Sequence, residues 1–226
     1  MTFSLLGRCA RTGQIGAVVT TSAMAVGSRC AFARAGVGAV LTQHRTDPRL
    51  GPVGLEILSL GFGAKQALAG MVGAAGDRDW RQLAVIDAAG DSASFSGARV
   101  RAEKGEAHGE GCVAIANIVR SAQVPSAMVT AFEEDPSLVL GERLVRAILA
   151  GEAAGGEFAA VVSAALLVVH RERFAYVDLR VDAHGEPLAE LARLWAAYAP
   201  LADDYVLRAV APDSAAAYVA PPARGA

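Results

Sequence analysis

The strand-like segments of this chain lack a polar face. Ile15-Gly16-Ala17-Val18-Val19, Gly36-Val37-Gly38-Ala39-Val40-Leu41 and Ala164-Ala165-Leu166-Leu167-Val168-Val169 show none of the polar alternation of a sheet that is wet on one side. Such strands must be covered on both faces. They also come in pairs. Phe3–Leu6 leads through Thr12-Gly13 to Ile15–Thr21, Arg81–Asp87 leads through Ala88-Ala89-Gly90 to Ser92–Phe95, and Ser163–His170 leads through Arg171-Glu172-Arg173 to Phe174–Val181. Hairpins outnumber single crossovers, so the expected class is α+β with antiparallel sheets. Two sheets stacked face to face, with helices on both outer faces, would cover strands of this kind. Hydrophobic residues make up 53% of the chain and aromatics 6%, so small side chains are available where layers approach.

Helices are expected from Gly51-Pro52 through Leu60, over Ala64–Ala75, over Pro125–Glu133, over Leu138–Ala150 with a stop at Gly151, and over Pro187–Ala199. The stretch through Gly27 and Arg29 reads as a loop, and so does the polar, glycine-rich Arg101–Gly111. Val113–Val119 reads as a short strand. No internal repeat or linker is visible. The 226 residues therefore read as one domain over 1–210, followed by an extended, disordered tail over 211–226.

A net charge of −2 without a basic stripe argues against nucleic acid or an anionic membrane as partner. Apolar runs such as Val161–Val169 fall short of the ~18 residues of a spanning helix. With no leader pattern at the start, the expected location is the cytoplasm. Cys9, Cys30 and Cys112 are odd in number and widely spaced, so buried free thiols are expected rather than disulfides or a zinc site. No metal or organic cofactor is expected. A homodimer is compatible with the apolar composition.

Thr2 opens the first strand behind Met1 alone. A small second residue is the usual condition for methionine trimming, which would leave Thr2 with a hydroxyl and a free α-amine. The hydroxyl attacks a carbonyl and the amine accepts its proton, so one residue supplies nucleophile and base. An α-amine titrates near pH ~7.7–8.0, close to where a base works at neutral pH. The alternative is a Thr that merely starts a strand.

Several segments together carry a family resemblance: Thr2-Phe3-Ser4, Ala25-Val26-Gly27-Ser28, Ala35-Gly36-Val37-Gly38-Ala39-Val40, Thr42-Gln43, Arg81-Gln82, Phe95-Ser96-Gly97, Asn117, Ala154-Gly155-Gly156 and Asp178-Leu179-Arg180-Val181-Asp182. With these, the chain resembles a bacterial family known as domain of unknown function 1028, placed in the N-terminal-nucleophile (Ntn) hydrolase fold. The resemblance runs from about Thr2 to Leu194. It implies a four-layer αββα sandwich, with Thr2 as candidate nucleophile. There are departures. Ile115-Ala116-Asn117 stands where the family has Gln-Gly-Asn. Phe158-Ala159-Ala160-Val161-Val162 stands where basic and polar residues usually follow the acidic position held by Glu157. Both changes point either to a more apolar substrate or to lost activity.

Alternation along the strand places Ser4 on the face of Thr2, and Phe3 and Leu5 on the other. Ser22, at the end of the returning strand, either holds the amine or satisfies a turn. Asn117 either donates to an oxyanion or braces the following loop. Thr42, Gln43 and His44 end a strand where a substrate could enter; the alternative for His44 is an exposed loop position. Asp178, Arg180 and Asp182 share one strand face and form either a substrate-carboxylate clamp or a salt-bridge ladder. The expected activity is hydrolysis of a small amide or peptide-like bond through an acyl-enzyme. Its rival is a non-catalytic protein that binds a small ligand on the same fold.

Overall fold

The hairpin at the start of the chain becomes the centre of the larger of two antiparallel sheets. In a computed structural model, which describes residues 1–216, β1 (Thr2–Arg8) pairs with β2 (Ile15–Thr21), with Phe3 opposite Thr20. On its other side β1 pairs with β8 (Cys112–Asn117), with Thr2 opposite Asn117. Around this centre, β9 (Ser163–Val169) and β10 (Val177–Val181) extend one edge, and β7 (Lys104–Gly109) forms the other. The smaller sheet runs in the order β3 (Ala31–Arg34), β4 (Gly38–Gln43), β5 (Gln82–Asp87), β6 (Ser92–Ser96).

Strand alternation sorts the side chains into layers. Phe3 and Leu5 point out of the larger sheet, into a core with Met128 and Phe132 of α3 (Val124–Glu133), Leu144 and Ile148 of α4 (Leu140–Ala153), and Leu191 of α5 (Pro187–Tyr198). Leu6, Ile15 and Ile115 point the other way, meeting Ala39, Leu41, Ala84 and Ile86 of the smaller sheet. The outer face of that sheet, through Val40, Leu83 and Val85, is covered by α1 (Leu50–Ser59) and α2 (Ala64–Ala74). The molecule is thus an α+β sandwich of two facing antiparallel sheets with helices against their outer faces. Each large apolar side chain buried in these layers contributes about 1.5–3 kcal/mol. The small residues sit where layers are tightest. Ala17, Ala39 and Ala84 lie between the sheets, and a Cβ on Gly7 would stand 2.5 Å from the Phe132 ring.

Four segments differ from the expectations. Ala31–Arg34, expected as loop, is an edge strand, and the turn at Gly36 (φ 70°) delays its partner to Gly38. Within the expected loop Arg101–Gly111, Lys104–Gly109 pairs with β8 along the open edge of the larger sheet. An edge strand with one wet face tolerates its polar sequence. Helix α4 runs past Gly151 to Ala153, because that glycine admits Met128 of α3, whose Cγ would lie 2.8 Å from an added Cβ. A further helix, α6 (Ala202–Val210), follows α5, and Pro212–Ser214 of the expected tail make a 3-10 turn. The remainder of that tail, 217–226, lies outside the described residues. Among the described residues no helix is long and apolar enough to cross a membrane.

Candidate functional site

Because β1 is central, its first residue is enclosed. Thr2 is 6% exposed. Its neighbours across the sheet are Asn117 on β8 and Thr21, one step beyond the Thr20–Phe3 pair on β2. The Thr2 hydroxyl donates to the Met1 carbonyl, with the Thr21 hydroxyl 3.4 Å away. Thr21 also donates to the Met1 carbonyl, at 2.5 Å. Met1, Thr2 and Thr21 line a cavity of about 450 Å³. A larger cavity of about 910 Å³, lined by Arg8, Cys9, His108 and Glu133, lies at the opposite end of β1.

Beside the chain start is a buried carboxylate. Glu157 is 3% exposed; its Oε2 accepts the Ser22 backbone N–H at 3.0 Å, and its Oε1 has no partner among the described residues. Burial pushes its pKa up to about 7, against the opposing pull of its hydrogen bonds with Ser22 and of the chain-end ammonium. Burial likewise lowers the pKa of the Met1 amine, and the Glu157 charge works against that. Glu157 is placed by the turn after α4. Gly155 and Gly156 both take positive φ (134° and 57°), and Glu157 then bridges to Val119 just beyond β8.

Under the cavity runs a polar chain between the sheets. Ser4 donates to Gln43 Oε1 (2.7 Å), Gln43 Nε2 donates to Gln82 Oε1 (2.8 Å), and Asn117 Nδ2 donates to the same oxygen (3.0 Å). Gln82 Nε2 reaches the Ala116 carbonyl and Ser96 Oγ, both at 3.0 Å. All four members are fully buried, and they tie the smaller sheet to β1 and β8.

The opposite wall comes from the segment after β4. The ring of His44 stacks on Trp80 at 6.1 Å, and the Arg45 guanidinium lies 4.2 Å from the Trp80 ring centroid. His44 Nδ1 faces the Trp80 carbonyl at 2.9 Å, so Nδ1 donates and Nε2 is left to accept the Arg101 N–H at 3.4 Å. Burial lowers the His44 pKa, the hydrogen bond to the Trp80 carbonyl opposes this, and the nearby charges of the chain end, Arg45 and Arg101 add to the lowering. Backbone strain collects here. Of the four non-glycine residues with positive φ among the described residues, His44 (53°), Arg45 (48°) and Ile118 (53°) all line this cavity. Such conformations cost about 1–3 kcal/mol each and persist only where the surroundings impose them.

Thr2 and His44 of the sequence-derived set reach the cavity surface. Asn117 stands beside Thr2, with one amide proton committed to Gln82 and its Oδ1 without a partner among the described residues. Gln43 belongs to the polar chain below the cavity. Thr42 points to the other face of β4 and reaches the Asp47 carbonyl at 3.3 Å. Neither meets the expectation of a substrate contact, because β4 alternates and both are fully buried. Ser22, expected to hold the Thr2 amine or satisfy a turn, connects to the chain start through its backbone N–H to Glu157, while the Thr2 nitrogen is here the amide that follows Met1; the hydroxyl beside Thr2 Oγ1 is that of Thr21. Asp178 and Arg180 are exposed on β10 and Asp182 follows it; none of the three lines this cavity, and Arg180 pairs with Asp182 at 3.0 Å, the salt-bridge alternative rather than a substrate clamp. Of the departures, Ala116 faces the helices and Phe158 is an exposed side chain, whereas Ile115 points between the sheets, opposite Ser4 on β1. Thr21 ends the returning strand that the hairpin places beside Thr2. Arg29, Arg45, Trp80 and Arg101 were not singled out from sequence; they come from separate connections and carry no shared motif.

Among curated proteins, none matches this chain. Its fold is similar to that of protein SPO2555 from Silicibacter pomeroyi, a DUF1028 protein known from a crystal structure. The two are 30% identical with a TM-score of 0.81, over 87% of this chain and 88% of that one. The model of a family of unknown function, DUF1028, matches residues 2–191. The chain belongs to that family, DUF1028.

Proposed function

We propose that this protein is an N-terminal-threonine hydrolase of the Ntn type, cleaving a small amide or peptide-like bond in the cytoplasm. The observation that carries this reading is the position of the chain start. Thr2 and Met1 line the same cavity, so removal of Met1 would open the Thr2 amine into that cavity rather than into bulk solvent. Further support comes from two facing antiparallel sheets with helices on their outer faces, the architecture that the family resemblance implies.

In the proposed reaction the Thr2 amine accepts the hydroxyl proton as Oγ1 bonds to the carbonyl carbon. The oxyanion so formed takes a hydrogen bond from the second amide proton of Asn117. The C–N bond then breaks, and the leaving amine departs with the proton held by the Thr2 amine. Water adds to the ester, releasing the acid and restoring the hydroxyl. The Glu157 charge favours a protonated chain-start amine against the larger lowering by burial, and Thr21 orients the Thr2 oxygen. A cysteine route through Cys9, Cys30 or Cys112 has less support: all three are buried, and burial pushes the Cys112 thiol up to about 12, although against burial the hydrogen bonds of Thr12 hold that of Cys9 lower.

The test is intact mass followed by labelling with an electrophile selective for N-terminal nucleophiles. The expected result is a chain that begins at Thr2 and carries the adduct there, with none on Thr2→Ala. Turnover in Thr2→Ala should fall by at least about 10³-fold while its Tm stays within a degree or two, and Thr2→Ser should keep partial activity. A second reading is favoured by one contact, the hydrogen bond from the Thr2 hydroxyl to the Met1 carbonyl. A purified chain that retains Met1 would be a small-ligand-binding protein, without this chemistry.

A further inference from the structure

We infer that the ligand of the Thr2 cavity carries an oxyanion, a carboxylate or phosphoryl group, which Arg29, Arg45 and Arg101 hold. This deepens the hydrolase reading and narrows its substrate to small amides with an anionic end.

The charge pattern is the first argument. Three arginines line the cavity and no acidic residue does. The chain as a whole is slightly acidic, at −2, so the local excess runs against the global balance. Seven other arginines (34, 49, 81, 146, 180, 193 and 208) pair with carboxylates. Among the described residues, Arg29, Arg45 and Arg101 form no such pair; neither do eight further arginines (8, 11, 78, 99, 120, 143, 171 and 173), so what sets the three apart is that they line one cavity.

The second argument is that two of these cations, Arg29 and Arg45, are held in position, and that the backbone of the third is anchored. Arg29 donates through Nη1 to the Met24 and Ala25 carbonyls, both at 2.7 Å, which fixes the side chain while neutralising none of its charge. Arg45 is fixed at both ends. Its backbone takes a left-handed conformation that a non-glycine residue adopts only under constraint, its carbonyl accepts a hydrogen bond from Arg81, and its guanidinium lies against Trp80. The backbone N–H of Arg101 is anchored on His44 Nε2 at 3.4 Å.

A guanidinium presents a planar fork of donors that matches carboxylate and phosphate oxygens, and such charge-assisted bonds are about twice as strong as neutral ones. An oxyanion on this side of the cavity would leave the rest of the molecule extending toward Thr2. The cavity of about 450 Å³ limits the ligand to a small molecule. The more apolar substrate suggested by the sequence departures does not fit a lining of this charge.

The test is calorimetric titration with succinate, N-acetylglycine and inorganic phosphate, with succinamide as the neutral control. Thr2→Ala is titrated alongside wild type, so binding is read whether or not Thr2 is a nucleophile. At least one anion should bind both proteins with Kd below about 10 mM, more weakly in high salt, and more tightly than succinamide. Arg45→Gln and Arg101→Gln should each weaken that binding by about 10-fold or more. Tighter binding of the carboxylates than of phosphate assigns a carboxylate end, and the reverse order a phosphoryl end. Absence of anion binding in that range, equal binding of succinamide, or unchanged affinity in both arginine variants would overturn the inference. Anion binding by a protein whose Thr2 takes no label would retain the oxyanion site and remove the hydrolase reading.

Discussion

Glu157 is the residue whose environment most alters its chemistry. Its pKa of about 7 stands above the ordinary 4.5, so between those values the folded chain keeps a proton that the unfolded chain has lost. By linkage, the stability owed to this proton is full below the unfolded value and is lost as pH rises through about 7. Glu157→Gln removes the titration. Denaturant unfolding should show the variant more stable than wild type at pH 8, by on the order of 1–3 kcal/mol, and nearly equal to it at pH 4. A parallel pH dependence in both proteins would mean that the carboxylate titrates normally. The sequence made Thr2 legible as a candidate because its hydroxyl and the adjacent chain end are local facts. It showed Glu157 only as an acidic position after two glycines. The proximity of Glu157 to the chain start depends on a turn 155 residues downstream.

At the scale of elements, the close contacts between β1 and the helices over it depend on missing side chains. A methyl group on Gly7 would press into the Phe132 ring at 2.5 Å, and Leu144 would stand 3.3 Å from it. Gly7→Ala should cost about 1–3 kcal/mol by overpacking, read as a lower denaturation midpoint with the m-value unchanged. The link between the sheets is polar as well as apolar. Gln82 accepts from both Gln43 and Asn117. Gln82→Ala would leave two buried amides short of a partner and should cost about 2–5 kcal/mol, with electrophile labelling at Thr2 slowed because Asn117 loses its brace. Hairpins such as β1–β2 and β5–β6 were legible from turn residues and apolar runs. The edge strands β3 and β7 were not. Lys104-Gly105-Glu106-Ala107-His108-Gly109 has no strand signal of its own, and it is extended because β8 offers an unpaired edge.

For the whole molecule, the layered core predicts where the chain opens least. β1 and β2 lie inside the larger sheet with apolar layers on both faces, whereas β7, β10 and α6 lie at its margins. Native-state hydrogen exchange should therefore be slowest in β1, β2, β8 and β5, and faster by orders of magnitude in β7 and α6. Comparable protection in β7 and β1 would contradict a core centred on the chain's first strand. That centre also explains the site, since an element buried in the middle of a sheet can end at a sheltered cavity. The sequence by itself determined the α+β class, the antiparallel pairing and which face each residue of β1 takes, because hairpin turns and period-two alternation are set by neighbours along the chain. Tertiary structure alone decided that Glu157 and three arginines from different connections gather around Thr2. Their meeting depends on how two sheets stack and how their connections are strained into place, and no local pattern encodes either.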